Sequence, residues 1–122
     1  YLSATDLNLQ LRELIKIRAS QINKCAYCIE MHTKIAREAG ESEQRIYALP
    51  AWEESPLFSD EERAVLALTE AVTKISEHGV SDAIFQDIQQ YFSDNQIAQI
   101  IIAINQINGW NRIAVATKMF HG

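Results

Sequence analysis

Apolar residues recur every three or four positions through nearly the whole chain, in stretches separated by short polar segments, and that spacing is the signature of helices packed on one another. The first stretch carries Leu7, Leu11, Leu14, Ile15 and Ile22, which predicts a helix from about Thr5 to Gln21 with Asp6 as its N-cap and Arg12, Glu13, Lys16 and Arg18 on its polar face. Asn23-Lys24 breaks the pattern. A second helix is predicted from about Ala26 to Ala39, with Ile29, Ile35 and Ala36 as its apolar stripe and Gly40 as its stop. Ser42 starts a short third helix that ends near Leu49, and Pro50 to Pro56 reads as a loop holding Trp52. Ser59 and Glu62 form a capping-box pattern that opens a fourth helix running to about Ser76, with Val65, Leu66, Leu68, Thr69 and Val72 inward and Gly79 at its end. Ser81 caps a fifth helix through Tyr91, and Ser93 or Asp94 caps a sixth that runs to about Phe120. Gly109, inside that last helix, would allow another helix to approach closely.

No segment needs to be a strand, and the chain has only 4 Gly and 2 Pro to break helices. The expectation is therefore an all-α fold, a compact bundle of about six helices joined by short loops, in one domain spanning residues 1–122. The net charge of -5, with no run of Lys and Arg, argues against a nucleic-acid partner. The longest apolar run, Ile100 to Ile104, falls far short of the roughly 20 residues that span a bilayer, so no membrane role is expected. Nothing resembles a signal peptide, and the expected location is cytoplasmic, although the chain begins at Tyr1 and not at Met.

The two cysteines, Cys25 and Cys28, stand three apart. A disulfide framework in a small secreted protein uses more cysteines at wider spacing, so a close pair points to redox chemistry or metal binding in a reducing compartment. At a helix start, both sulfurs lie near backbone N–H groups that have no carbonyl partner, and these groups and the helix dipole favour thiolate over thiol. His32 is four residues after Cys28, on the same helix face, where an imidazole can accept or relay the thiol proton near neutral pH. Two plainer readings stand beside this one. Free cysteine is often only a small buried hydrophobe. Zinc would accept Cys25, Cys28 and His32, but a structural site needs a fourth ligand, and His78 and His121 sit in no paired motif. Glu13 by itself reads as a solvated helix charge.

The run from Glu13 to His32 has the skeleton E-x11-C-x2-C-x3-H, and with it the chain resembles the AhpD-like alkylhydroperoxidase family of the carboxymuconolactone decarboxylase superfamily. The resemblance continues through Ala36, Gly40 and the helix start at Ser59-Asp60-Glu61-Glu62-Arg63-Ala64, and returns at Asn108-Gly109-Trp110-Asn111-Arg112. It implies an all-helical fold that assembles as a homo-oligomer, a trimer or a hexamer, and a hydroperoxide-reducing cycle that needs no cofactor and no metal. Cys28 would attack the peroxide, Cys25 would resolve the sulfenic acid to a disulfide, and Glu13 and His32 would relay the proton. A dithiol reductant, such as a lipoyl group on a partner protein, would reset the pair. The best-known members carry His where this chain has Tyr27, which removes one ionisable neighbour of the thiols. The decarboxylase branch lacks the cysteine pair, which argues against lactone decarboxylation. The competing readings are a disulfide oxidoreductase or redox sensor without substantial peroxidase turnover, and a binding protein that has merely kept the fold.

Lesser features take plain readings. Trp52 is expected as an anchor in an apolar pocket, Met31 as core, Trp110, Asn111 and Arg112 as packing against the Cys helix, a neighbouring subunit or the core, and Glu53-Glu54 and Asp60-Glu61-Glu62 as solvated surface and helix N-terminus charge.

Overall fold

Side-chain oxygens start nearly every helix. The structure, a computed structural model, describes residues 7–119. Asn8 precedes α1 (Leu9–Ile22), and its Oδ1 accepts the Leu11 N–H at 2.7 Å. Ser42 plays the same part for α3 (Glu43–Ala48), Ser59 for α4 (Asp60–Thr73), Ser81 for α6 (Asp82–Gln89) and Ser93 for α7 (Asp94–Ala116). At Ser59 and Ser93 the cap is reciprocal, because Glu62 and Gln96 accept the N–H of the cap residue in return. Only α2 (Ala26–Glu38) is capped by a sulfur, that of Cys25. A 3-10 turn (Leu49–Ala51) and the single-turn α5 (Ile75–His78) complete the order. No strand occurs among the described residues, and none of these helices is long and apolar enough to cross a membrane.

The architecture is the all-α bundle that the sequence predicts, with seven α-helices among the described residues in place of six. The extra helix comes from a break at Lys74, whose backbone (φ -104°, ψ 33°) leaves the helical region. Just before it, Thr73 Oγ1 accepts a hydrogen bond from Asn108 Nδ2 of α7 at 3.0 Å. The apolar spacing runs through the break from Val72 to Ile75, so periodicity cannot register it. The first helix begins at Leu9 and not near Thr5, since Asn8 is as good a cap; Thr5 and the expected cap Asp6 lie outside the described residues. The last helix stops at Ala116, short of Phe120, which also lies outside them. Lys118 turns left-handed (φ 59°) and Met119 N–H reaches back to the Ala114 carbonyl at 2.9 Å, a Schellman ending.

α1 lies against α2, α4 and α7, and its neighbouring residues face different layers. Ile15 joins Val65, Leu68, Ile88, Ile97, Ile100 and Ile104 in one core. Leu14 and Ile17 join Ala36, Leu49, Trp52, Phe58 and Leu66 in the other. A helix so enclosed has no truly polar face. Arg18 donates to Glu70 at 2.8 Å and Glu13 is buried, which corrects the expectation that both belong to a solvated flank. Trp52 is the expected anchor: it is buried, and its indole N–H donates to Glu70 Oε2 at 2.8 Å.

Glu62 corrects another expectation. Glu53, Glu54, Asp60 and Glu61 are exposed, but Glu62 is half-buried and accepts from Arg45 at 2.6 Å. Arg45 also donates to Glu41 at 2.9 Å and to the Leu57 carbonyl at 2.8 Å. Burial pushes the Glu62 carboxyl up, yet the Arg45 hydrogen bond and the Ser59 cap outweigh it and hold the group below its ordinary value of 4.5. A carboxyl that binds its proton less readily when folded adds stability that is complete above the ordinary value and is lost as pH falls through the folded one. The urea midpoint is therefore expected to stay level above about pH 5 and to fall at more acid pH, and Glu62→Gln should make that fall shallower. A midpoint whose acid slope is untouched by Glu62→Gln would contradict the assignment.

Candidate redox site

The loop between α1 and α2 is built to present two sulfurs. Lys24 takes the left-handed conformation (φ 58°), at a cost of about 1 kcal/mol for a residue with a side chain. The Lys24 N–H then reaches the Gln21 carbonyl at 3.2 Å and the Cys25 N–H reaches the Ser20 carbonyl at 3.0 Å, a second Schellman ending. Cys25 thus closes α1 and opens α2, its Sγ accepting the Cys28 N–H at 3.3 Å. Cys25 and Cys28 form a disulfide, with Cα atoms 5.3 Å apart.

A buried amide network pins this loop to α7. Asn23 Nδ2 donates to Asn108 Oδ1 and Asn111 Oδ1, each at 2.9 Å, and Asn111 Nδ2 donates to Ser20 Oγ at 3.0 Å. Asn111 is fully buried. Sequence reasoning did not single out Asn23, Asn108 or Ser20 as supports of the site. The signal was two asparagines three apart inside the most apolar helix, where an unpaired amide is costly.

Behind the cysteines, Glu13 and His32 meet. His32 lies one turn after Cys28 on α2, and its Nδ1 is 2.8 Å from Glu13 Oε1; Lys16 Nζ is 3.1 Å from Glu13 Oε2. Glu13 is only 1% exposed. Burial alone would push its carboxyl up, but the His32 hydrogen bond and the Lys16 charge outweigh burial and keep it below the ordinary 4.5. An ionised carboxylate only accepts, so the proton between the two groups is assigned to His32 Nδ1.

A cavity of about 340 Å³ opens beside Cys28 and His32. Lys16, Gln106, Ile107 and Trp110 line it, together with Tyr27, Met31, Ala114 and Met119. Met31 and Trp110 are therefore exposed cavity residues, 38% and 63% accessible, which for Met31 corrects the expectation of core. Arg112 is likewise exposed. Gly109 brings no helix close, since a Cβ there would meet nothing within 4 Å. Among the described residues no group of three or more His, Cys, Asp or Glu is placed to hold a metal ion. His78 lies at the end of α5, and His121 falls outside the described residues.

Three likenesses accompany this geometry. The uncharacterized protein YdfG of Bacillus subtilis is 47% identical over 116 residues, covering 95% of this chain and 79% of that one. ATU0492 of Agrobacterium tumefaciens, a protein of unknown function assigned provisionally to antioxidant defence as AhpD, has a crystal structure that superposes with a TM-score of 0.97 at 45% identity, covering all of this chain and 84% of that one. An uncharacterized peroxidase-related protein of Silicibacter sp. TM1040 superposes with a TM-score of 0.84 at 28% identity, covering 95% of this chain and 61% of that one. The family model for carboxymuconolactone decarboxylases matches residues 2–71, which take in Glu13, both cysteines and His32. The chain belongs to the carboxymuconolactone decarboxylase family, as an AhpD-like member.

Proposed function

We propose that the protein reduces organic hydroperoxides through the Cys25–Cys28 pair. The observation that carries this reading is that Cys28 and His32 line one cavity, while the buried Glu13 carboxylate holds the far side of the imidazole. In the reduced enzyme, His32 Nε2 takes the Cys28 proton. The thiolate attacks the outer peroxide oxygen, the O–O bond breaks, and the alkoxide leaves as an alcohol with the proton returned by His32. Cys28 is then a sulfenic acid. The Cys25 thiol attacks that sulfur, water leaves, and the disulfide closes before further oxidation. A dithiol of the lipoyl type returns two electrons and two protons.

Two features bear on the order of the cysteines, and they pull apart. The Cys28 N–H bonded to Cys25 Sγ favours a thiolate on Cys25. Of the two, Cys28 lines the cavity, and an attacking sulfur must first reach its peroxide, which supports Cys28 as the attacking thiol. Exposed Trp110 and Ile113 on α7 offer an apolar face for the further copies of the chain that a homo-oligomer requires.

Steady-state consumption of cumene hydroperoxide with dihydrolipoamide tests the reading. Continuous turnover is expected, with two thiols per chain titrating before peroxide and none after. A slow response of one equivalent, without turnover, would favour disulfide exchange with a partner protein instead.

A further inference from the structure

The Glu13 carboxylate is engaged on both oxygens, and only one of the two partners has a part in the cycle above. His32 Nδ1 faces Oε1 and Lys16 Nζ faces Oε2. Lys16 also lines the cavity, with its side chain 25% exposed. Among the described residues, Lys16 and His32 are the charges that act on the Glu13 carboxyl. The α7 residues of the cavity, Gln106, Ile107, Trp110 and Ala114, are uncharged. On α4, Glu62 is tied to Arg45, Glu70 to Arg18, and Arg63 to the carbonyls of Trp52, Glu53 and Ser55, while Asp60 and Glu61 are exposed. On α2, Lys34 is exposed. On α1, Arg12 precedes Glu13 and lies about 100° round the helix from it.

We propose that Lys16 is a positioning residue of this site: its ammonium keeps the Glu13–His32 pair one proton short, so that the His32 nitrogen remote from Glu13 holds a free lone pair for the Cys28 proton. The inference rests on the thiol reading above only for what that lone pair does. With one proton on the pair and the carboxylate ionised, Nδ1 donates and Nε2 accepts. One more proton on the pair gives either a neutral Glu13 donating to Nδ1 with Nε2–H, or an imidazolium with both N–H groups. In either form Nε2 is already protonated and cannot take the thiol proton. Burial pulls that extra proton in. A cation 3.1 Å from the carboxylate opposes it, whichever member of the pair would carry it.

The test compares wild type with Lys16→Met, Lys16→Gln and Lys16→Arg in two measurements. The first is ¹⁵N NMR of the His32 imidazole across pH. The second is the rate at which iodoacetamide labels Cys28 in the reduced protein. The uncharged variants are expected to protonate Nε2 at higher pH than wild type and, at about pH 6, to label Cys28 about tenfold more slowly. Lys16→Arg should restore both. Lys16→Gln, close to lysine in shape, carries the test if Lys16→Met does not fold. Wild-type nitrogen shifts and labelling profile in Lys16→Gln would overturn the proposal. If no peroxide is turned over by any form, the proposed function fails, and the nitrogen shifts still decide this inference.

Discussion

Cys28→Ser is expected to lower hydroperoxide turnover by about a thousandfold or more, because a serine hydroxyl at neutral pH is no substitute for a thiolate and the oxygen cannot pass through a sulfenic state. Cys25→Ser should behave differently. Its Cys28 lines the cavity and can still be oxidised once, but no neighbouring thiol resolves the sulfenic acid. One equivalent of peroxide should disappear rapidly and turnover should then stop, with the sulfenic acid trapped by dimedone at Cys28. If the two variants exchange these behaviours, Cys25 is the attacking sulfur and its position as the helix cap outweighs access. If turnover survives in both, the pair is not the redox centre.

Ile15→Ala is expected to cost about 2–5 kcal/mol, a large share of the roughly 5–15 kcal/mol that holds a domain of this size together. Ile15 has no exposed surface and lies where α1 meets α4 and α7. Truncation there leaves a cavity that three helices cannot all close. The same change at Ile75, more than half exposed on α5, should shift stability by no more than about 0.5 kcal/mol. Urea midpoints at one protein concentration check both, with an unchanged slope as the sign that the denatured state is not involved. A loss below about 1 kcal/mol for Ile15→Ala would mean that α1 is not the central helix.

Much of the fold is legible in the residues because it depends on local rules. Ser42, Ser59, Ser81 and Ser93 each sit before an apolar periodic run, and each is the cap in the structure. Gly40 stops α2 in the left-handed conformation expected of it. Periodicity fails where the backbone departs for a single residue, as at Lys74, and where a helix is enclosed on several sides. On α1 the alternation of charged and apolar residues suggests a wet face. The neighbours α2, α4 and α7 remove that face from water, so Glu13 becomes a buried carboxylate. The reverse holds for Met31 and Trp110, apolar residues that stay partly exposed where they line the cavity.

The sequence alone determined the essentials of the cysteine pair: two sulfurs at a helix start, and a histidine one turn later on the same face. These follow from spacing within one helix, which tertiary structure cannot alter. The distance between Glu13 and His32 belongs to a different class of fact. It depends on how α1 crosses α2, and that is decided by side-chain packing among residues far apart in the chain. The same packing strips water from Glu13, so that it requires His32 and Lys16 to stay charged. The asparagine bridge from Asn23 to Asn108 and Asn111 is likewise a tertiary decision, since it joins groups more than eighty residues apart. Local chemistry supplied the sulfurs and the imidazole. The crossing of helices supplied the carboxylate, the cation and the cavity.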